Sequence, residues 1–319
     1  MSPLVLNGAP LDAAQRAHVA AATGCELLDI DPTASPAQLG EADRQRITGW
    51  LCTARSPVTA QALDALPALR VLSTRAVGFD NIDLAAAKAR GIAVGYTPGV
   101  LDRAVADLAF ALVLCLLRDV FGNDRFVRSG AWQHNVAPLS RDPRGKELAL
   151  LGLGRIGGEL AKLAHGYGMQ VSYFQRRRDT AMEAAGIVRY REREDLLRSA
   201  DVLSIHLPLS EATRHSVGAT EVGWMKPSAY LVNTSRGAVV DEAALVEALR
   251  SGRIAGAGLD VMDHEPLDPA SPLCALPNVI LQPHAGSATT ETRTAMMALA
   301  VDNLVEGLAG RQMPAALAN

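Results

Sequence analysis

Short apolar runs alternate along the chain with stretches whose apolar positions recur every three or four residues. In the first third the runs are Gly49-Trp50-Leu51-Cys52, Leu69-Arg70-Val71-Leu72-Ser73 and Gly91-Ile92-Ala93-Val94-Gly95, short enough to be strands buried on both faces. Between the last two, 82–90 has a helical pattern, and Gly91 suits its stop because glycine accepts the left-handed conformation that ends many helices. This strand-helix-strand rhythm implies a parallel sheet with helices on its faces.

Pro98-Gly99 interrupts the rhythm and predicts a hinge. An apolar helix is expected over 104–118, followed by an irregular, polar segment at 132–144. The alternation then resumes, with strands predicted at 147–151, 170–174, 202–206, 229–233, 256–260 and 278–282. The stretch 289–307 keeps helical spacing without a turn signal and predicts one long helix. If that helix packs back on the first domain, the first domain is 1–98 plus 287–319 and the second is 99–286. The fold class that follows is α/β, with two Rossmann-like, doubly wound parallel-sheet domains.

Composition narrows the partners. The chain has 319 residues, 49% hydrophobic and 20% charged, which suits two domains of ordinary size. A formal net charge of -3 gives no broad basic field for nucleic-acid phosphates, so no nucleic acid is expected. Cys25, Cys52, Cys115 and Cys274 form no CxxC pair, which argues against a disulfide framework or zinc knuckle and fits a cytoplasmic location. No secretory signal is expected at the N-terminus. The apolar stretch 104–117 contains Asp107 and is too short to span a bilayer, so no membrane partner is expected either.

The loop Gly152-Leu153-Gly154-Arg155-Ile156-Gly157 follows the apolar run Leu148-Ala149-Leu150-Leu151 and precedes a helical pattern. That context turns a common GxGxxG string into a dinucleotide signal. Gly152 allows the tight turn, Gly154 lets a pyrophosphate approach the backbone, and Gly157 lets helix and strand pack closely. The helix start then offers N–H groups and partial positive charge to phosphates. At the end of the next strand, where NAD enzymes carry a carboxylate for the ribose hydroxyls, stands Gln175, followed by Arg176, Arg177 and Arg178. A neutral residue before three arginines suits a 2′-phosphate, which predicts NADP(H) as the preferred cofactor, with NAD(H) possible.

Three later strand ends carry chemistry: Asn233-Thr234-Ser235-Arg236-Gly237, Asp260-Val261-Met262-Asp263-His264-Glu265-Pro266 and Gln282-Pro283-His284-Ala285-Gly286-Ser287. Arg236 can fork onto a 2-oxo acid, holding its carboxylate and polarising its carbonyl. His284 can exchange a proton with the C2 oxygen, and Glu265 can orient that imidazole and stabilise its protonated form.

With these segments in order, the chain resembles the D-isomer-specific 2-hydroxyacid dehydrogenase family over nearly its whole length. The matching stretches include Val77-Gly78-Phe79-Asp80-Asn81-Ile82-Asp83, Thr97-Pro98-Gly99-Val100-Leu101, the glycine loop, Leu207-Pro208-Leu209 with Thr213, Met225-Lys226-Pro227, 233–242, Gly258-Leu259-Asp260-Val261 and the His284 segment. The resemblance implies a flavodoxin-like first domain, an active-site cleft between the domains, and Arg236, Glu265 and His284 as the catalytic set. It places Asp260 and the region of Thr234 and Ser235 near the nicotinamide carboxamide, and Gly286, Leu207, Pro208 and Thr213 along the cofactor. It also implies that backbone N–H groups around Val77 and Gly78 hold the substrate carboxylate, and that the 104–117 region contributes to a homodimer contact.

The version of the motifs seen here looks most like the glyoxylate, hydroxypyruvate and 2-ketogluconate reductase branch, implying reduction of a small 2-oxo acid to the D-2-hydroxy acid with His284 as proton donor. Tyr96 stands where Asn is common, and Arg55 either holds a second polar group of the substrate or is a surface residue. His206 is read as supporting the cofactor pocket. A nucleotide-sensing protein of the corepressor type, on the same fold, is the alternative. A metal held by His264, Glu265 and His284 lacks paired-histidine spacing, so no metal is expected.

Overall fold

The computed structural model describes residues 2–317. It divides into two compact units, the first made of the chain up to Leu101 and again from Thr289, the second of Asp102–Ala288. In the first unit the strands are β1 (Leu4–Asn7), β2 (Glu26–Asp29), β3 (Ile47–Cys52), β4 (Val71–Thr74) and β5 (Ala93–Gly95). They pair in the order β2-β1-β3-β4-β5, all parallel. β1 and β2 are additions to the sequence reading: each has four residues, and β2 is a half-exposed edge with polar ends, so neither makes a long apolar run.

The long helix is Thr290–Leu308, started by the Thr289 hydroxyl, which accepts the Thr292 N–H. Its residues Val301, Leu304 and Val305 share a core with Val5, Leu51 and Val71, and the Ser73 hydroxyl donates to the Ala300 carbonyl at 2.7 Å. The C-terminal helix is thereby part of the first unit's core.

The second unit carries β6 (Glu147–Leu151), β7 (Gln170–Phe174), β8 (Arg189–Tyr190), β9 (Val202–Ile205), β10 (Tyr230–Asn233), β11 (Gly256–Leu259) and β12 (Val279–Leu281). Their order is β12-β11-β10-β9-β6-β7-β8, again all parallel. β8, only two residues long, is absent from the sequence reading. Both faces are covered, as a parallel sheet requires. Leu148 and Leu150 of β6 pack under the helices Asp102–Leu117 and Arg155–Gly166, while Ala149 and Leu151 pack with Leu196, Leu245 and Leu249 on the other side.

Leu112, Val113 and Leu116 of the helix Asp102–Leu117 lie in the unit's own core with Phe110 packed against it, so this face of the helix covers the sheet. Exposed apolar side chains follow it: Val120, Phe121, Val127, Trp132, Val136 and Leu139, on and after a helix, Val120–Arg128, that buries no residue. Among the described residues no helix is long and apolar enough to cross a membrane.

Candidate active site

In a parallel α/β sheet the C-terminal strand ends form the ligand-binding rim. The glycine loop leaves β6 there. Gly152 has φ of 99°, a conformation side chains resist, and a Cβ on it would lie 2.8 Å from the His206 carbonyl oxygen. A Cβ on Gly157 would lie 2.7 Å from the Gly152 carbonyl oxygen, so the helix can start this close to the turn only with glycine. Gly154 faces open space and is the N-cap of the helix Arg155–Gly166, with no side chain capping the first N–H groups. Uncapped N–H groups beside open backbone are what a pyrophosphate needs. Arg155 is exposed at this helix start, its Nε 3.5 Å from the nearly buried Asp102 carboxylate, and Ile156 is half-buried behind it.

His206 follows β9 and supports the loop from below. Its Nε2 lies 2.9 Å from the Ser204 hydroxyl, and burial pushes its pKa down to about 4, so the ring is neutral near pH 7. Leu207 packs on the core beside the loop, whereas the Thr213 hydroxyl donates to the Pro208 carbonyl at 2.6 Å and closes its own turn.

At the β7 end the basic turn is not uniform. The Gln175 side chain accepts the Leu153 N–H at 3.0 Å and donates to the Arg177 carbonyl at 2.6 Å. Arg178 pairs with Glu183, which also accepts the Tyr173 hydroxyl at 2.6 Å, and its guanidinium lies over the Tyr190 ring at 4.8 Å. The hydrogen bond from Arg178 and that from Tyr173 hold the Glu183 carboxyl below the usual range. Arg176 and Arg177 are exposed, and neither has an ion pair or side-chain hydrogen bond among the described residues.

β10, β11 and β12 are neighbours, and their ends bring the three chemistry-bearing segments together. Asn233 shapes the first, accepting from Ser235 N–H at 3.0 Å and its hydroxyl at 2.8 Å and donating to the Arg236 carbonyl at 2.9 Å. The Arg236 Nη1 donates to the Ser235 carbonyl at 2.9 Å. A Cβ on Gly237 would overlap the Met262 backbone at 1.9 Å, so the β10 and β11 loops touch at that point.

Glu265 and His284 form the centre of the site, with Oε2 2.7 Å from Nδ1. Burial alone would raise the Glu265 carboxyl, but the hydrogen bond and charge of His284, with the Met262 N–H, outweigh it and hold it below the ordinary glutamate range. His284 sits at φ of 54°, left-handed for a residue with a side chain. Asp260 holds it there: its carbonyl accepts the His284 N–H at 2.8 Å, and its carboxylate oxygens accept Ala285 N–H at 2.6 Å and Gly286 N–H at 2.9 Å. Gly286 is needed for this grip, since a Cβ there would stand 3.1 Å from the Asp260 carboxylate. Burial raises the Asp260 pKa against the pull of those two N–H groups.

The Asp260 carboxylate is thus engaged with the backbone that follows His284. The Thr234 hydroxyl, at the β10 end, is one of several buried polar side-chain atoms without a hydrogen-bond partner among the described residues. An unmet buried hydroxyl costs about 1–3 kcal/mol, and at this rim it fits the amide end of a pyridine dinucleotide whose phosphates lie on the glycine loop. In the first unit, Val77 and Gly78 follow β4 in a loop tied by Thr97 N–H to the Ala76 carbonyl at 2.9 Å. Phe79, next in this loop, packs edge-to-face on Tyr96 with ring centroids 6.2 Å apart. His264 is 96% exposed and turned to solvent, and among the described residues no three His, Cys, Asp or Glu side chains gather as metal ligands.

The same elements recur in known proteins. The family described as D-isomer specific 2-hydroxyacid dehydrogenase, NAD binding domain, matches residues 110–286. A glyoxylate reductase from Aeropyrum pernix is 47% identical over 263 residues, covering 81% of this chain and 78% of its own. A glyoxylate/hydroxypyruvate reductase B from Klebsiella pneumoniae is 46% identical over 256 residues, 79% of each chain. Among solved structures, the NADPH-dependent glyoxylate/hydroxypyruvate reductase of Sinorhizobium meliloti, in complex with NADP and malonate, superposes with a TM-score of 0.89 at 33% identity, covering 100% of this chain and 97% of that one. The chain belongs to the D-isomer-specific 2-hydroxyacid dehydrogenase family.

Proposed function

We propose that the protein reduces a small 2-oxo acid of the glyoxylate or hydroxypyruvate type to the D-2-hydroxy acid, with NADPH as the preferred reductant and His284 as proton donor. The observation that carries this reading is the Glu265–His284 pair, 2.7 Å apart, formed between the β11 and β12 ends, with Arg236 at the end of β10 beside β11. When bound, the dihydronicotinamide supplies the hydride. Arg236 binds the carboxylate and draws electron density from the carbonyl. Protonated His284 gives its Nε2 proton to the C2 oxygen, while Glu265 keeps Nδ1 as the donor on the far side of the ring and stabilises the cation beforehand.

The relatives named as glyoxylate and hydroxypyruvate reductases support this substrate class. The neutral residue at 175, followed by the exposed Arg176 and Arg177, supports NADPH. A 2-ketogluconate-type substrate is the longer variant of the same chemistry. The experiment is a matrix of glyoxylate, hydroxypyruvate, 2-ketogluconate and pyruvate against NADPH and NADH, followed by loss of dihydronicotinamide absorbance. Highest kcat/KM for glyoxylate or hydroxypyruvate with NADPH is expected; no turnover of any 2-oxo acid would reject the enzyme in favour of a nucleotide-sensing protein.

We also infer a homodimer, with the segment 120–139 as part of the contact. Its six exposed apolar side chains support a contact with a second copy. Sedimentation equilibrium should give twice the chain mass, and a monomer would remove the inference.

A further inference from the structure

We infer that Gln175 is a positioning residue whose amide straps the basic turn to the glycine loop, and that this strap, more than the lack of a carboxylate, makes the site selective for a dinucleotide phosphorylated on its adenosine ribose. This inference rests on the NADPH preference proposed above. The strap joins two fixed backbone groups of opposite polarity: the Leu153 N–H, which needs an acceptor, and the Arg177 carbonyl, which needs a donor. One primary amide meets both at once. A glutamate of the same length could accept from Leu153 but would set an oxygen against the Arg177 carbonyl, and an arginine or lysine could serve only the carbonyl.

The geometry gives the strap something to hold. β6 and β7 are paired neighbours, so their ends lie side by side, and the half-buried Gln175 spans from one to the other. Beyond it, Arg178 is committed to Glu183 and stacked on Tyr190, and the Asp179 N–H donates to the Tyr173 hydroxyl at 2.7 Å. The turn is therefore pinned at both ends, by Gln175 before and by the Arg178 cluster after. Between the pins project the two side chains without an ion pair among the described residues, Arg176 and Arg177. Long exposed guanidiniums lose much rotamer freedom on binding, and a backbone already fixed reduces what must be ordered with them. A ribose phosphate between these guanidiniums would gain from that preorganisation, whereas an unphosphorylated ribose would not meet them.

The test separates neutrality from the strap. Gln175→Met is neutral and of similar length but makes neither hydrogen bond. Binding of NADPH, NADH, 2′,5′-ADP and 5′-AMP to the protein without substrate is measured by isothermal titration calorimetry. Loss of two hydrogen bonds that preorganise the phosphate site should raise the Kd of NADPH and 2′,5′-ADP roughly tenfold. NADH and 5′-AMP should weaken less than the phosphorylated pair, and a circular dichroism spectrum matching wild type certifies the fold of the variant. Gln175→Glu, which keeps only the Leu153 bond, should lose NADPH affinity as well. NADPH binding by Gln175→Met at wild-type affinity would overturn the inference, as would equal weakening of all four ligands. A wild-type protein that binds NADH as tightly as NADPH would instead refute the cofactor preference on which the inference rests.

Discussion

The β11 and β12 ends and the β7 end belong to one rim but fix their side chains differently. At β11 and β12, Asp260 accepts the N–H groups of His284 and of the two residues that follow it, and Glu265 is held by the Met262 N–H as well as by the imidazole. The reacting side chain is thus set by main-chain geometry. At β7 the backbone is pinned, but the guanidiniums of Arg176 and Arg177 extend into solvent. Proton transfer needs one geometry within a few tenths of an ångström, whereas discrimination between two dinucleotides needs charge within reach of one phosphate. Mutations at the first end should therefore change kcat, and mutations at the second should change cofactor affinity.

The largest departure is expected at Glu265. Glu265→Gln keeps the shape but removes the charge that stabilises protonated His284, and kcat for 2-oxo acid reduction should fall about 100-fold with the Kd of NADPH unchanged. The sign of the pH dependence follows from the lowered Glu265 carboxyl. It is ionised throughout and above the ordinary glutamate range, so reduction should hold on acidification until the pH drops below that range, where protonation breaks the pair. In Glu265→Gln the acid limb should vanish, because the amide does not titrate; an unchanged acid limb would mean that another group sets it.

A smaller effect is expected from Gly286→Ala, which touches no substrate. The added methyl would press on the Asp260 carboxylate at 3.1 Å and on Val105 at 3.3 Å, and loosening the grip on His284 should cost roughly 10-fold in kcat. If kcat stayed at wild type while stability fell, Asp260 would be a packing residue only. The smallest effects sharpen the β7 side. Arg177→Ala should raise the KM for NADPH about tenfold, and Arg178→Ala by less than about threefold, because Arg178 is already engaged by Glu183. The reverse order would show that the Arg178 cluster opens to take the phosphate.

Much of this comparison was legible in the chain itself. The glycine loop could be read because each glycine answers a local demand, a left-handed turn at Gly152 or a close approach at Gly157. Arg236, Glu265 and His284 could be read because parallel sheets put functional residues at strand ends and the three segments follow the strand order. What stayed hidden depends on contacts between distant residues. The difference between Arg178 and its two neighbours rests on Glu183 and on Tyr190 of β8, a strand too short to leave a pattern. The grip of Asp260 depends on the left-handed backbone of His284, which the apolar pattern of the flanking strand does not specify. The apolar helix Asp102–Leu117 covers the sheet, whereas the exposed apolar residues 120–139 lie in a segment whose mixed polarity reads as irregular.

The central claim is that His284 delivers the proton in reduction of a 2-oxo acid by this chain. Its most direct test is stopped-flow reduction of hydroxypyruvate by NADPH with wild-type protein and His284→Gln, beside calorimetric binding of NADPH to each. The account predicts equal NADPH affinity and a single-turnover rate lowered at least about 100-fold in the variant. Wild-type rates in His284→Gln, with NADPH bound normally, would contradict it.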